Sequence, residues 1–361
     1  MAHTILIMAG GTGGHVFPGL AVADYMKAAG WHVVWLGTEG GMETMLVPQR
    51  GYDTRIIRFS GVRGKNVVAW LTLPLRLLLA FWQSAKVMFQ VRPDVVLGMG
   101  GYPAFPGGMM ASLLGKPLVI HEQNSIAGLT NKVLAKFADK VLLGFPDAIR
   151  NDNKAVFSGN PVRDAIGQLD APETRYAARD KNDGGRLRLL VIGGSLGAHA
   201  LNAVVPQALG LIPENRRPQV THQAGAKHLD TLRKNYAEAR VAGELVAFIE
   251  DMAACYADCD LVICRAGALT IAELAAAGVA SILVPFPYAV DDHQTSNARF
   301  LSERDAAVLL PQNELTPQGL AQLLTELSRE RLSEMAVKAR ALAKPDATRL
   351  VAQACMEMAK A

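Results

Sequence analysis

The sequence predicts an α/β protein of two domains, each an open, doubly wound parallel sheet with helices on both faces. Three observations carry this. The chain has 361 residues, and at roughly 150 residues per domain that is about two hydrophobic cores. Short apolar runs of strand length alternate with helical patterns through the whole chain, the signature of parallel sheets. Finally, Ile5-Leu6-Ile7-Met8-Ala9-Gly10-Gly11-Thr12-Gly13-Gly14-His15 aligns without gaps on Leu189-Leu190-Val191-Ile192-Gly193-Gly194-Ser195-Leu196-Gly197-Ala198-His199, an offset of 184 residues. Each copy reads as a buried strand, a glycine-rich turn and a helix, so the two halves open with the same Rossmann-like device.

The elements follow in order. After the first turn, Leu20 to Ala29 reads as a helix stopped at Gly30. Strands are expected at His32–Leu36, Asp94–Gly98, Pro117–Ile120 and Lys140–Leu143. In the second half they are expected at Gln219–His222, Leu245–Ile249, Leu261–Cys264, Ala280–Val284 and Ala307–Leu310. The bend between halves falls near Gly159-Asn160-Pro161-Val162-Arg163. A last helix, Asp346 to Lys360, follows Lys344-Pro345 and is placed to cross back to the first domain.

Composition narrows the function classes. Apolar residues are 50% and charged residues 19% of the chain, which excludes a disordered or fibrous protein. A net charge of +4 suits an acidic surface without requiring nucleic acid, and 6% aromatics offer few platforms for stacked bases. Four cysteines do not make a disulfide framework. The opening apolar run has no Lys or Arg before it and reads as a strand rather than an export signal, which points to the cytoplasm. Val95 to Gly115 and Gly267 to Val290 are nearly uncharged, but Gly and Pro divide both, and each reads as strand, loop and buried helix. Val67 to Phe89 is different. Trp70, Leu71, Leu73, Leu75, Leu77, Leu78, Leu79, Phe81 and Trp82 cover nearly every side of a helix, beside Arg63, Lys65, Arg76 and Lys86. Pro74 and Arg76 argue against a span. Two readings stand: a helix buried in the core, or an apolar patch with a basic rim resting on an anionic membrane surface.

In open parallel sheets ligands bind at the carboxyl ends of strands, and four turns there carry polar or glycine-rich sequence. Gly10 to His15 is neither a Walker A loop nor a dinucleotide fingerprint, because the third glycine of the latter would be Val16. It is a bare backbone turn at a helix N-terminus, suited to close approach by an anion or a sugar. His15 there is either structural or a general base at neutral pH. Gly193 to Gly197, with the Ser195 hydroxyl, is either a phosphate cradle or simply a tight turn. In Cys264-Arg265-Ala266-Gly267-Ala268-Leu269-Thr270-Ile271-Ala272-Glu273, Thr270 and Glu273 have the spacing of a capping box, the simpler account taken alone. The functional account puts a diphosphate on the helix N-terminus and a ribose diol on Glu273. His121-Glu122-Gln123-Asn124 closes a strand, with Asn131 seven residues on and Gly98-Met99-Gly100-Gly101-Tyr102-Pro103 at the neighbouring strand end. Asp258-Cys259-Asp260 imitates a metal motif but sits at the wrong end of its strand, and Cys255, Cys259 and Cys264 lack zinc spacing, so no metal site is expected.

Taken in order, Gly-Gly-Thr-Gly-Gly-His at 10–15, Gly-Gly-Tyr-Pro at 100–103, His-Glu-Gln-Asn at 121–124, Gly-Asn-Pro-Val-Arg at 159–163, Gly-Gly-Ser-Leu-Gly at 193–197, Arg-Ala-Gly-Ala-Leu-Thr at 265–270 and Asp-His-Gln-Thr-x-Asn-Ala at 292–298 resemble the peptidoglycan N-acetylglucosaminyltransferase family that converts lipid I to lipid II. The resemblance runs from residue 5 to about 350. It implies the glycosyltransferase B (GT-B) fold, two Rossmann-like domains facing across a cleft. Residues 1–163 would form the acceptor and membrane-associating domain, with the helix of about 345–361 packing back on it, and 164–344 the UDP-GlcNAc domain. It also implies no metal or other cofactor, a peripheral location at the cytoplasmic face of the inner membrane, and a part in cell-wall synthesis, cell shape and division. The implied reaction moves GlcNAc from UDP-GlcNAc, with inversion, to the C4 hydroxyl of undecaprenyl-diphosphate-linked MurNAc-pentapeptide.

Carried over residue by residue, donor contacts fall on Thr12, Gly13, Gly14, Asn124, Arg163, Ser195, Ile249, Ala268, Leu269, Thr270, Ile271, Ala272, Glu273 and Gln294. The uracil would lie on the backbone at Ile249, the ribose on Glu273 and the GlcNAc hydroxyls on Gln294. The acceptor side would use Tyr102, Glu122, Asn124 and Asn131, with the lipid over 67–82. His15 and Glu122 are rival general bases. A sugar-nucleotide epimerase of the same fold, another lipid-acceptor glycosyltransferase and a nucleotide-binding membrane scaffold are the alternatives.

Overall fold

Two units of nearly equal size divide the chain, residues 1–162 with 344–361 and residues 163–343. The computed structural model describes residues 2–61, 71–150, 152–182, 186–193 and 198–360. Ser195 with most of its glycine turn, and Arg63, Lys65 and 67–70 of the apolar stretch, lie outside the described residues.

The first unit is built on seven parallel strands: β1 (Thr4–Ala9), β2 (His32–Thr38), β3 (Asp53–Ile57), β4 (Val95–Gly100), β5 (Leu118–Glu122), β6 (Lys140–Leu143) and β7 (Ala155–Phe157). Their spatial order is β3-β2-β1-β4-β5-β6-β7. Side chains alternate across a strand, and β1 divides its own accordingly. Ile5 and Ile7 enter one core with Val16, Leu20, Trp35, Val351 and Cys355, while Leu6 and Met8 enter the other with Leu36, Val96, Ala104 and Leu118. Both faces are therefore dry, which is why β1 reads as an unbroken apolar run. The C-terminal helix Ala347–Met358 closes the first face against the helix Gly13–Ala28. Trp35, fully buried, anchors that face by donating its indole N–H to the Ala9 carbonyl at 2.9 Å.

The second unit carries β8 (Arg188–Ile192), β9 (Gln219–Gln223), β10 (Glu244–Val246), β11 (Leu261–Cys264), β12 (Ala280–Leu283) and β13 (Ala307–Leu309), all parallel. Their order is β10-β9-β8-β11-β12-β13. This repeats the first six strands of the other unit, so the two aligned sequence segments occupy equivalent central strands, β1 and β8. In each sheet the order reverses beside that strand, and the crevice at its carboxyl end is the place for a ligand.

Three expectations need correction. The edge strands β3 and β7 have no counterpart in the sequence reading, because Asp53-Thr54-Arg55-Ile56-Ile57 is largely exposed and β7 spans three residues. The helix expected from Leu20 begins at Gly13 and contains Pro18. Its breakers are tolerated because Pro18 and Gly19 are buried, and Gly19 lies where any Cβ would press on the Trp35 ring. The apolar stretch is no core helix. Leu73–Val91 buries only Ala80, Ser84, Val87 and Met88, whereas Leu75 is 71%, Leu78 64% and Trp82 62% exposed. Among the described residues no helix is long and apolar enough to cross a membrane.

The Asp-x-Asp pair resolves into a clamp and a surface residue. Asp260 is fully buried, accepts from Arg179 at 2.8 Å and from the Arg188 amide at 2.8 Å, and faces Arg329 at 3.4 Å. Asp258 is 68% exposed and pairs with Arg188. Removing one partner of a buried ion pair costs about 3–5 kcal/mol, while exposed pairs contribute about 0–1 kcal/mol. Asp260→Ala is therefore expected to destabilise the second unit by that larger amount in urea unfolding, and Asp258→Ala to leave its transition nearly in place.

Candidate active site

In the first unit the site grows from the ends of β1, β4 and β5. Ala9 pairs with Gly100 after a register shift in β4, and the chain then turns through Gly100 at φ 100° and Gly101 at φ 81°. A side chain on Gly101 would run into the Gly10 carbonyl oxygen, so these two backbones meet only because residue 101 is glycine, while one on Gly10 would meet the Glu43 carboxylate. Glu43, wholly buried, fixes the turn from beneath. Its carboxylate accepts from the Thr38 amide at 2.9 Å, the Thr38 hydroxyl at 3.0 Å and the Gly11 amide at 3.1 Å. Sequence reasoning missed Glu43. The one available signal was a carboxylate two residues after Gly40-Gly41, and that pattern reads equally well as an exposed turn.

Thr12 is the N-cap of the helix Gly13–Ala28 and makes no side-chain capping bond. The amides of Gly13 and Gly14 thus belong to an uncapped first turn, the arrangement that receives an anion or a sugar oxygen. His15 projects from that turn, half-buried, and its Nδ1 lies 2.9 Å from the Gln123 Oε1. His121, in β5, is fully buried, and its Nε2 meets the Gly159 carbonyl at 2.9 Å. Burial pushes the His121 imidazole down to about 4, the Gly159 carbonyl opposing and His15 adding slightly to the drop.

Strand β5 runs two residues further than expected and takes His121 and Glu122 with it. Glu122 is consequently buried. One of its oxygens accepts from the Asn124 amide at 2.9 Å and the Asn124 side chain at 3.3 Å, the other from the Gly128 amide at 3.1 Å and Asn131 Nδ2 at 2.9 Å. Asn131 is buried as well and also donates to the His121 carbonyl at 3.2 Å. Tyr102, half-exposed, stands beside Gly61. His15, Gln123, His121, Glu122, Asn124 and Asn131 therefore form one hydrogen-bonded group, of which Gln123 was not singled out in the sequence.

In the second unit the site gathers beyond β11. The capping box is overturned: the helix Ala268–Ala277 starts two residues before Thr270, and its N-cap is Gly267, which has no side chain to cap with. The amides of Ala268, Leu269 and Thr270 form its first turn, and Ile271 makes the first backbone bond, to the Gly267 carbonyl at 3.0 Å. Ala272 and Glu273 follow one turn on. Freed from capping, the Glu273 carboxylate accepts from Arg163 Nη2 at 2.9 Å and from the Tyr256 hydroxyl at 3.3 Å. Burial raises the Glu273 carboxyl above the usual range while Arg163 and Tyr256 pull it back. Gln294 Oε1 accepts from the Phe286 amide at 2.9 Å and the Ala266 amide at 3.3 Å, tying the loop after β12 to the loop after β11. Ile249 is buried, and its amide donates to Gln223 Oε1 at 3.3 Å. Ile249, Glu273, Gln294 and the first turn of the Ala268 helix are thus set by one sheet and the loops beside it, and Arg163 joins them through its bond to Glu273.

Comparison with known proteins agrees with this architecture. Residues 5–143 match the glycosyltransferase family 28 N-terminal domain, and residues 188–353 match the family 28 C-terminal domain. A UDP-N-acetylglucosamine--N-acetylmuramyl-(pentapeptide) pyrophosphoryl-undecaprenol N-acetylglucosamine transferase from Nitrosospira multiformis is 70% identical over 99% of both chains. The protein of the same name from Nitrosomonas europaea is 63% identical over 98% of both. The crystal structure of Acinetobacter baumannii MurG, 42% identical, superposes with a TM-score of 0.84 over 98% of this chain and 99% of that one. A putative UDP-N-acetylglucosamine 2-epimerase from Listeria monocytogenes, at 13% identity and a TM-score of 0.63, shares the fold alone. On these grounds the chain belongs to glycosyltransferase family 28, among its UDP-N-acetylglucosamine--N-acetylmuramyl-(pentapeptide) pyrophosphoryl-undecaprenol N-acetylglucosamine transferases.

Proposed function

We propose that the enzyme transfers GlcNAc from UDP-GlcNAc to the C4 hydroxyl of undecaprenyl-diphosphate-linked MurNAc-pentapeptide, turning lipid I into lipid II with inversion at the anomeric carbon. The observation that carries the donor assignment is the uncapped first turn of the Ala268 helix with Glu273 one turn on, held between Arg163 and Tyr256. A helix N-terminus there offers amides to a diphosphate. Glu273 keeps lone pairs for the two ribose hydroxyls even while Arg163 and Tyr256 each take one. The uracil is assigned to the Ile249 backbone, the GlcNAc hydroxyls to Gln294, and further phosphate contacts to Ser195 and the Thr12–Gly14 turn.

Inversion requires one in-line displacement through a cation-like sugar. The acceptor oxygen bonds to the anomeric carbon as the carbon–oxygen bond to the diphosphate breaks, and the bonding pair leaves with UDP. Arg163 and the helix amides stabilise that departing charge. His15 takes the acceptor proton. It projects from an open turn with one ring nitrogen on Gln123, whereas both oxygens of Glu122 are engaged by the loop they brace. Asn124, Asn131 and Tyr102 are assigned to the acceptor side. The exposed face of Leu75, Leu78, Leu79 and Trp82, with Lys86 over the Trp82 ring, is assigned to the anionic inner face of the cytoplasmic membrane. There it would serve cell-wall synthesis and, through it, cell shape and division.

The deciding experiment is radiolabelled UDP-GlcNAc with a lipid I analogue. The expected result is a GlcNAc–MurNAc lipid product, with UDP release dependent on the acceptor; acceptor-independent epimerisation would overturn the reading. His15→Ala is expected to lower kcat roughly 100-fold or more with little change in donor KM, and full activity in that variant would end its assignment as base. Glu273→Gln removes a charged acceptor worth about 1.5–3 kcal/mol, so donor KM should rise about tenfold or more while acceptor KM holds. Leu75→Ser with Trp82→Ser should weaken binding to anionic liposomes yet leave transfer to a water-soluble acceptor intact; unchanged liposome binding would remove the membrane assignment.

A further inference from the structure

We propose that Gln123 is a positioning residue that holds His15 in the tautomer protonated on Nδ1, leaving the Nε2 lone pair for the acceptor hydroxyl. This rests on the assignment of His15 as base. The argument is one of hydrogen-bond polarity, fixed by two backbone carbonyls that can only accept. The Gly159 carbonyl, 2.9 Å from His121 Nε2, requires a hydrogen on that nitrogen. His121 is fully buried and titrates near 4, so at neutral pH it has a single ring proton and its Nδ1 is a lone pair. Gln123 Nε2 faces that lone pair at 3.1 Å and the His121 carbonyl at 3.2 Å. Both of its hydrogens are thereby placed, and the reverse amide orientation would set two oxygens against each other. The Gln123 Oε1 must then point the other way, toward His15 Nδ1 at 2.9 Å. An oxygen there accepts, so His15 Nδ1 donates, and the lone pair of the neutral ring is on Nε2.

The surroundings keep this chain of bonds in place. Asn160 Nδ2 donates to the Gln123 carbonyl at 3.0 Å. On the other side, a Cβ on Gly100 would come within 2.8 Å of His15 Nδ1, so glycine at that position lets the ring reach Gln123. Free imidazole side chains favour the opposite tautomer, with the hydrogen on Nε2, so the protein reverses the intrinsic preference. In the reaction the acceptor proton moves to Nε2, and the imidazolium so formed keeps its Nδ1–H on Gln123; no proton passes further along the chain.

The test is nitrogen NMR of the histidine rings in the ¹⁵N-labelled full-length enzyme at neutral pH, with His15 assigned by its loss in His15→Ala. The expected spectrum shows His15 protonated on Nδ1 and unprotonated on Nε2. Gln123→Met should move it toward the Nε2-protonated form and lower kcat roughly ten- to a hundredfold at unchanged donor KM. A wild-type His15 protonated on Nε2, or a Gln123→Met spectrum identical to wild type, would overturn the proposal. The spectrum of the unsubstituted enzyme decides the tautomer even where a variant folds poorly. Undiminished transfer in His15→Ala would instead defeat the base assignment, and the spectra would still report what Gln123 does.

Discussion

Everything at the carboxyl end of the first sheet depends on one contact between two backbones. Gly101 passes over Gly10 with no room for a side chain, at a φ that glycine adopts freely. That approach lets the end of β4 cross beside the end of β1 and lets the helix Gly13–Ala28 begin directly after the turn. A conventional turn would carry the chain away before the helix began, and His15 would not stand three residues into it facing β5. The buried carboxylate of Glu43 makes the arrangement rigid. Burying a charge is costly unless it is hydrogen-bonded, and here three donors meet it, two from Thr38 and one from Gly11. The same packing that excludes side chains at Gly10, Gly37 and Gly41 leaves the carboxylate no alternative position.

The second unit reaches a comparable result by different means. Its cap position is also occupied by a residue that leaves the helix start open, Gly267, but what stands one turn on is a carboxylate rather than an imidazole. Arg175 holds the frame behind it, donating to the carbonyls of Tyr256, Ala277 and Gly278. These bonds tie the helix that carries Tyr256 to the end of the helix that carries Glu273. The Tyr256–Glu273 contact therefore follows from packing and does not depend on a flexible side chain finding its partner.

The sequence reading recovered the central strands, the equivalence of β1 and β8, and the polar strand ends because each has a local signature. Dry parallel strands are unbroken apolar runs, and a turn that must approach another backbone needs glycine. What it lost was non-local. The Thr270 and Glu273 spacing fits a cap, and only the position of Gly267 and the reach of Arg163, 110 residues away in sequence, show that the carboxylate is used elsewhere. Glu43 went unread for the same reason, and Gln123 was read only as part of a polar strand end, since these partners lie 32 and 108 residues away. The helix expected from Leu20 extends back to Gly13 through a buried Pro18, a residue that would break an exposed helix interior. The exposure of Leu75, Leu78 and Trp82 was open in the sequence because a helix apolar on nearly every side is compatible with a core and with a surface alike. The structure decides it through the narrow stripe of Ala80, Ser84, Val87 and Met88 that actually packs.

Two buried carboxylates, Glu122 and Glu273, show how environment divides roles between identical groups. Glu122 meets four donors, three of them from Asn124 and Gly128, and all within ten residues in sequence. Such a cage spends the lone pairs of the carboxylate on the shape of a loop. Glu273 meets one guanidinium and one phenol, both from distant segments, and burial works against its charge. Arg163 and Tyr256 oppose that effect of burial, and a carboxylate with one donor on each oxygen retains lone pairs for hydroxyls arriving from outside. The environments thus make Glu122 the brace of its own loop and leave Glu273 the more open of the two, as its proposed role as a binding carboxylate requires. On the proposed reading proton abstraction would fall to His15, whose neighbour Gln123 takes up the Nδ1 side of the ring.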